Sequence, residues 1–65
     1  MRLEINGESR RSEAATLADL LAELGHDAGS VATAVNGEFV PRTARADTPL
    51  ADGARIEILA PMQGG

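Results

Sequence analysis

Apolar and polar residues alternate at the start of the chain, which predicts a half-buried β-strand. In the segment MRLEIN, Met1, Leu3 and Ile5 fall on one face and the polar residues on the other, with the two-residue period of a strand. Asn6-Gly7 follows, and this pair is a strong hairpin signal because both residues tolerate a positive φ. The return segment ESRRSE is almost wholly polar, so we expect an edge strand protected by its charges.

The next segment, TLADLLAELG, has the spacing of an amphipathic helix. Its four leucines repeat at i, i+3, i+4 and i+7 and form one apolar stripe. Thr16 is expected to cap the start of the helix, Asp19 to complement its positive end, and Gly25 to stop it. We expect the leucine stripe to pack across one face of a sheet.

The second half of the chain predicts three more strands. After a loop at HDAGS, the segment VATAVNGEFVP reads as a hairpin that turns at Asn36-Gly37. RTARADTPLADG is expected to be a loop with tight turns. ARIEILAPM alternates again, with Ile56 and Ile58 on one face and Leu59 on the other. We interpret both Asn-Gly pairs as turns without a further role.

The predicted order is ββαβββ, with one helix to cover the sheet. Pairing the last strand parallel to the first gives a mixed sheet of four to five strands packed on one α-helix. This is the α+β architecture called the β-grasp or ubiquitin-like fold. We expect residues 1–60 to form that domain and residues 61–65, which end in Gly64-Gly65, to form a flexible C-terminal tail.

Composition excludes several functions. The 65 residues include no cysteine, so disulfides, thiolate metal sites and a cysteine nucleophile are absent. The net charge of −4 argues against a nucleic-acid partner, because phosphate binding needs a positive surface. No apolar segment has signal or membrane-span length, so we expect a cytoplasmic protein without a membrane partner. All six cations are arginines, and we interpret Arg42, Arg45 and Arg55 as solvated surface residues.

Three stretches, AVNGEFVPR, TPLADGARIEILAP and the terminal GG, occur together in a characteristic order and spacing. Over essentially the whole chain the sequence resembles the ThiS family, the sulfur carrier proteins of thiamine biosynthesis. The resemblance implies a protein co-substrate and not an enzyme. A ThiF-type adenylating enzyme, using ATP and Mg, would adenylate the Gly65 carboxylate. A persulfide donor would convert it to a thiocarboxylate, and a ThiG-type thiazole synthase would receive the sulfur.

The single histidine and the scattered carboxylates give no metal-ligand spacing, and no Ser/His/Asp group, carboxylate pair or phosphate-binding glycine loop is present. We therefore expect no metal site, no catalytic residue and no cofactor bound to this chain. The residues that the resemblance singles out lie in the tail, where Met62, Gln63 and Gly64 would lead Gly65 into a closed pocket of the partner. Glycine suits that position because it has no Cβ and allows close approach of the backbone. Five extended residues reach roughly 17 Å. Pro61 would end the last strand and direct the tail away from the sheet.

An apolar interface is expected where the tail begins. Leu59 lies on the strand face opposite to Ile56 and Ile58, and so on the face that the helix does not cover. Either Phe39 or Val40 must also point outward, because adjacent strand residues face opposite sides. Such a pair would form an exposed apolar patch of the kind that marks a protein interface. The candidate interface therefore consists of Leu59, Phe39, Val40 and Pro61.

Other functions remain open at this point. The small subunit of molybdopterin synthase is also a β-grasp sulfur carrier that ends in Gly-Gly, although it is typically longer and more aromatic. A non-catalytic β-grasp binding module needs no terminal Gly-Gly. A ubiquitin-like modifier of protein lysines shares the tail but requires a ligase system.

Overall fold

The computed structural model describes residues 1–60, and the segment 61–65 lies outside the described residues. Its strands are β1 (Arg2–Ile5), β2 (Glu8–Arg11), β3 (Ala32–Val35), β4 (Glu38–Val40) and β5 (Arg55–Leu59), and its α-helix is α1 (Leu17–Leu24). Two short 3-10 helices span Ala28–Ser30 and Arg42–Asp47. The sequence of strands and α-helix confirms the predicted ββαβββ order.

The five strands form one mixed sheet in the order β2-β1-β5-β3-β4. β5 is parallel to β1, with Ile5 opposite Ile56, and antiparallel to β3, with Ala32 opposite Leu59. β5 is therefore the central strand of the sheet, and its pairing with β1 confirms the predicted parallel pairing. β2 lies at one edge with all four residues exposed, which confirms its prediction as a charged edge strand.

Helix α1 begins and ends at the predicted residues. The Thr16 hydroxyl accepts a hydrogen bond from the Asp19 N–H at 3.1 Å, which satisfies one of the free donors at the helix start. Gly25 ends the helix in the left-handed conformation, with φ 79°, and its N–H donates to the Ala22 carbonyl. Leu24, the last of the leucines, is half-buried.

The core lies between α1 and the inner face of the sheet. Its most completely buried apolar side chains, at most 2% exposed, come from the helix and from the two parallel strands: Leu3, Leu17, Leu20, Leu21 and Ile56. Burying one such side chain contributes about 1.5–3 kcal/mol. The predicted leucine stripe is therefore the main attachment of the helix to the sheet.

The segment 42–47 is a 3-10 helix and not the expected loop, and it buries Arg45 to 4% exposure. The guanidinium donates to Thr33 Oγ1 from Nε at 3.0 Å, to the Ala28 carbonyl at 2.8 Å and to the Val31 carbonyl at 2.7 Å. A buried guanidinium requires such partners, because unpaired donors are costly away from water. The interpretation of Arg45 as a solvated surface residue is therefore wrong.

Candidate functional site

The described part of the chain ends just after the central strand. β5 ends at Leu59, and Ala60 is the last described residue. The five residues with predicted roles in the tail lie outside the described residues, and these roles stay predictions: Pro61, Met62, Gln63, Gly64 and Gly65. The described part of the site is therefore the surface around the end of β5.

An exposed apolar patch surrounds that strand end on the outer face of the sheet. Phe39 is 70% exposed and Leu59 68%, although both are large apolar side chains. The register places Ala32 beside Leu59 and Ala34 beside Phe39, and these four residues line one shallow hollow together with Thr33 and Glu57. We call Ala32, Ala34, Phe39 and Leu59 the outer apolar patch.

Val40 does not belong to this patch. It is 8% exposed and packs in the core. Its register partner is Thr33, which is also buried and donates from its hydroxyl to the Val40 carbonyl at 2.8 Å. Because Phe39 takes the outward position, its neighbour must point inward. The assignment of Val40 to the candidate interface is thus corrected.

Charged residues cover the other half of the outer face. Glu4 and Arg55 are register neighbours on β1 and β5, and Arg2 and Arg11 are neighbours on β1 and β2. All four are exposed. An apolar centre beside a charged rim is the usual organisation of a protein interface.

The Asn6 side chain binds β5 next to its last residue, Leu59. Its Oδ1 accepts from the Ile58 N–H at 2.9 Å, and its Nδ2 donates to the Ile58 carbonyl at 3.1 Å. Asn6 has a φ of 50°, the positive value that its predicted hairpin turn requires. Asn6 therefore forms a turn and also pairs with a strand distant in sequence.

Asn36 has the same double role at the other end of β5. Its φ is also 50°, and its Oδ1 accepts from the Arg55 N–H at 2.9 Å. The Asn36 N–H donates to the Arg55 carbonyl at 2.7 Å. The interpretation of the two Asn-Gly pairs as turns without a further role is wrong, because each asparagine side chain binds one end of the central strand.

The loop before β3 lies beside the end of β5. Residues 29–32 line a groove together with Leu59 and Ala60. The Asp27 carboxylate accepts from the Ser30 hydroxyl at 2.9 Å and from the Gly29 N–H at 3.0 Å. These hydrogen bonds, that of Ser30 above all, and the nearby charge of Arg42 hold the pKa of Asp27 below its ordinary value. The loop and the end of β5 at Leu59 and Ala60 are therefore adjacent.

Within residues 1–60, no group of three or more histidine, aspartate or glutamate side chains is placed to hold a metal ion. In the same range, no helix is long and apolar enough to cross a membrane. His26, which the sequence places at the end of the helix, is exposed.

Fold and site together define the chain as a small ubiquitin-like β-grasp domain with an apolar patch where its C-terminal strand ends. The sequence model of the ThiS family matches residues 3–65. The chain belongs to the ThiS family, as the sequence resemblance implied. The match supports the ThiS assignment over the molybdopterin-type carrier and the binding module.

Similar proteins carry related names. The chain is 41% identical to the sulfur carrier protein ThiS of Thermus thermophilus, over 94% of this chain and 95% of that protein. It is 44% identical to a thiazole synthase of Paramagnetospirillum magneticum, over 100% of this chain but only 20% of that protein. The chain thus spans about a fifth of the length of the second relative and nearly all of the first.

Two solved structures share the fold. A crystal structure of the thiamine biosynthesis protein ThiS from Geobacter metallireducens superposes with a TM-score of 0.84 at 33% identity and covers 100% of both chains. A solution structure of a thiamine biosynthesis protein from the same organism gives a TM-score of 0.83, covering 100% of this chain and 88% of that one.

Proposed function

We propose that this chain, a ThiS-family sulfur carrier of thiamine biosynthesis, carries its sulfur as a thiocarboxylate on Gly65. The observation that supports this most is the extent of the family match, which includes the terminal Gly-Gly as well as the domain. The protein is a carrier and not a catalyst. Its chemistry is therefore assigned to one carboxylate, and the domain serves to present it.

The carboxylate needs activation before it can accept sulfur. In the proposed sequence a Gly65 carboxylate oxygen attacks the α-phosphorus of ATP, and pyrophosphate leaves. The resulting acyl-adenylate has a good leaving group, so a persulfide sulfur displaces AMP at the acyl carbon. A thiol then attacks the remaining S–S bond, the thiol and the donor sulfur leave together as a disulfide, and the thiocarboxylate, a sulfur nucleophile, remains on Gly65.

The partner for the first step is a ThiF-type adenylating enzyme that binds ATP and Mg itself. The outer apolar patch suits the docking of that enzyme, because Leu59 lies one residue before Ala60 and so next to the start of the tail. An interface held by large apolar side chains such as Phe39 and Leu59 leaves the tail free to extend into the active site. We assign the outer apolar patch to this contact.

The partner for the last step is a ThiG-type thiazole synthase. A segment similar to this whole chain makes up a fifth of a protein named thiazole synthase, which is consistent with a carrier and a synthase that act together. The synthase receives the sulfur from Gly65.

A reconstituted reaction tests the proposal. The chain is incubated with the adenylating enzyme, ATP, Mg, a persulfide donor and a thiol reductant, and its intact mass is measured. The expected result is replacement of one oxygen by one sulfur. The product is then offered to thiazole synthase and, separately, to the large subunit of molybdopterin synthase, and we expect turnover with the first only.

Deletion of Gly65 should abolish the mass change, whereas Glu8→Ala, at an exposed residue of β2 outside the tail and the outer apolar patch, should leave it unchanged. Both variants should retain the wild-type free energy of unfolding within about 0.5 kcal/mol, because neither change removes a buried side chain of the described core. Sulfur incorporation by the deletion variant, or none by the wild type, would overturn the assignment of Gly65.

A further inference from the structure

We propose that Asn6 is a positioning residue that fixes the end of β5 from which the tail leaves. The role follows from two hydrogen bonds that pair its side-chain amide with the backbone of Ile58, two residues before Ala60. The effect of Asn6 on sulfur loading rests on the function proposed above, whereas its effect on the order of the end of β5 does not.

The side chain of Asn6 continues the hydrogen-bond ladder between β1 and β5 beyond the point where the backbone of β1 turns away. β1 and β5 are parallel, with Ile5 opposite Ile56, and the Asn6 N–H donates to the Ile56 carbonyl at 2.9 Å. In a continued parallel ladder, the next bonds would join the Ile58 N–H to the backbone carbonyl of Asn6 and the Ile58 carbonyl to the N–H of Glu8. The chain instead turns at Asn6, where φ is 50°.

Both missing backbone groups are replaced by one side-chain amide. The Asn6 Oδ1 takes the position of the carbonyl acceptor, and Nδ2 takes the position of the N–H donor. A primary amide has the same donor and acceptor arrangement as a peptide group. Asparagine is also among the few non-glycine residues that tolerate a positive φ. The turn and the two hydrogen bonds to Ile58, which we call the Asn6 clamp, therefore favour the same residue type.

Without this clamp the end of β5 would be held on one side only. Leu59 lies opposite Ala32 of β3, but the described contacts to the β1 side of Ile58 come from Asn6. Freed backbone groups at a strand end are exposed to water and fray. Fraying would move the start of the tail and the exposed Leu59 side chain together, and both belong to the proposed partner contact.

Asn36 provides a matched control in the same molecule. It has the same turn sequence and the same φ of 50°, and its side chain also binds β5, but at Arg55, the end away from the tail. Asn6→Gly and Asn36→Gly each keep a residue that accepts a positive φ and remove one amide. Only Asn6→Gly should disturb the end of β5 from which the tail leaves.

Amide hydrogen exchange of the full chain tests the structural part. In Asn6→Gly, the Ile58 amide should exchange about tenfold faster relative to the Ile56 amide, which reflects the loss of its acceptor. In Asn36→Gly, the Arg55 amide should lose protection and the Ile58 amide should keep it. Asn6→Asp keeps the acceptor for the Ile58 N–H but no donor for the Ile58 carbonyl, so its Ile58 protection should be intermediate.

Steady-state kinetics with the adenylating enzyme test the functional part. Ordering one additional backbone residue on binding lowers affinity by a factor on the order of ten. We therefore expect Asn6→Gly to raise the KM for the carrier about tenfold with kcat within about twofold, and Asn36→Gly to change neither. If Asn6 only stabilised the fold, Asn6→Gly and Asn36→Gly would both lower the free energy of unfolding. KM would then stay unchanged, because the folded carrier would dock as the wild type does.

Two results would overturn the inference. One is wild-type protection of the Ile58 amide in Asn6→Gly, and the other is an equal KM for Asn6→Gly and Asn36→Gly in an assay where the wild type is modified. A wild-type chain that is not adenylated at all would instead overturn the proposed function. In that case the exchange result still decides whether Asn6 fixes the end of β5.

Discussion

Arg45 donates from Nε to the Thr33 hydroxyl at 3.0 Å, and both side chains are buried. Thr33 in turn donates to the Val40 carbonyl at 2.8 Å. One guanidinium therefore connects the 3-10 helix Arg42–Asp47 with β3 and β4, which carry three of the four residues of the outer apolar patch. All of its hydrogen-bond acceptors are uncharged oxygens.

Removal of the Arg45 guanidinium should destabilise the domain strongly. Arg45→Met keeps a long apolar side chain but leaves the carbonyls of Ala28 and Val31 without their donor. We expect a loss of about 2–4 kcal/mol in the free energy of unfolding, measured by urea denaturation. Arg42→Met is the control, because Arg42 begins the same 3-10 helix but is exposed, and its loss should stay within about 0.5 kcal/mol. Equal losses would contradict a special role for Arg45.

Arg45 and Thr33 should be energetically coupled. Thr33→Val removes the hydroxyl at nearly constant volume, so it abolishes the bond from Arg45 and the bond to the Val40 carbonyl together. A double-mutant cycle with Arg45→Met and Thr33→Val should give a coupling of about 0.5–3 kcal/mol. Additive losses would show that the two residues act independently.

Phe39 and Val40 should respond to substitution in opposite ways. Phe39→Ala removes an exposed side chain of the outer apolar patch, so we expect unfolding within about 0.5 kcal/mol of wild type and about tenfold weaker binding to the adenylating enzyme. Val40→Ala opens a buried site and should cost about 1–3 kcal/mol of stability with unchanged binding. Calorimetric titration and urea denaturation measure the two effects. Unaltered binding by Phe39→Ala would remove this patch from the contact.

The Asp27 carboxyl should titrate below its ordinary pKa of 3.8 in the folded protein. Because the unfolded state then binds more protons between the folded pKa and 3.8, stability rises with pH across that window. The contribution is complete above the unfolded pKa and is lost as the pH falls through the folded one. Asp27→Asn should flatten this part of the stability curve.

Nuclear magnetic resonance of the Asp27 side-chain carboxyl checks the origin of that pKa. Ser30→Ala should move the midpoint upward more than Arg42→Ala, because the Ser30 hydrogen bond is the larger cause and the Arg42 charge the smaller. The opposite ranking would assign the lowered pKa to charge.

The sequence predicted those parts of the fold that depend on local patterns. Alternation located β1 and β5, the leucine spacing located α1, and Thr16 and Gly25 marked its ends. The parallel pairing of the first and last strands was also predicted. Exposure of Leu59 followed directly from alternation along β5.

Contacts between distant segments were not predictable in this way. Arg45 lies in a segment without a hydrophobic period, and its acceptors are 12 to 17 residues away. The Asn6 side chain binds a strand 52 residues further along. An Asn-Gly pair predicts a turn, but nothing in the pair indicates where the amide points. The choice between Phe39 and Val40 depends on the register of the three-residue strand β4 with β3.

The central position of β5 has a mechanical consequence. In the proposed adenylation, a partner that draws the C-terminus into its pocket would pull along a strand that is bonded to β1 on one side and to β3 on the other. The pulling force then acts along the hydrogen bonds to β1 and to β3 at the same time. These bonds must break together and not one after another from an edge of the sheet. A small domain without disulfides can in this way be held by its own terminus and stay folded.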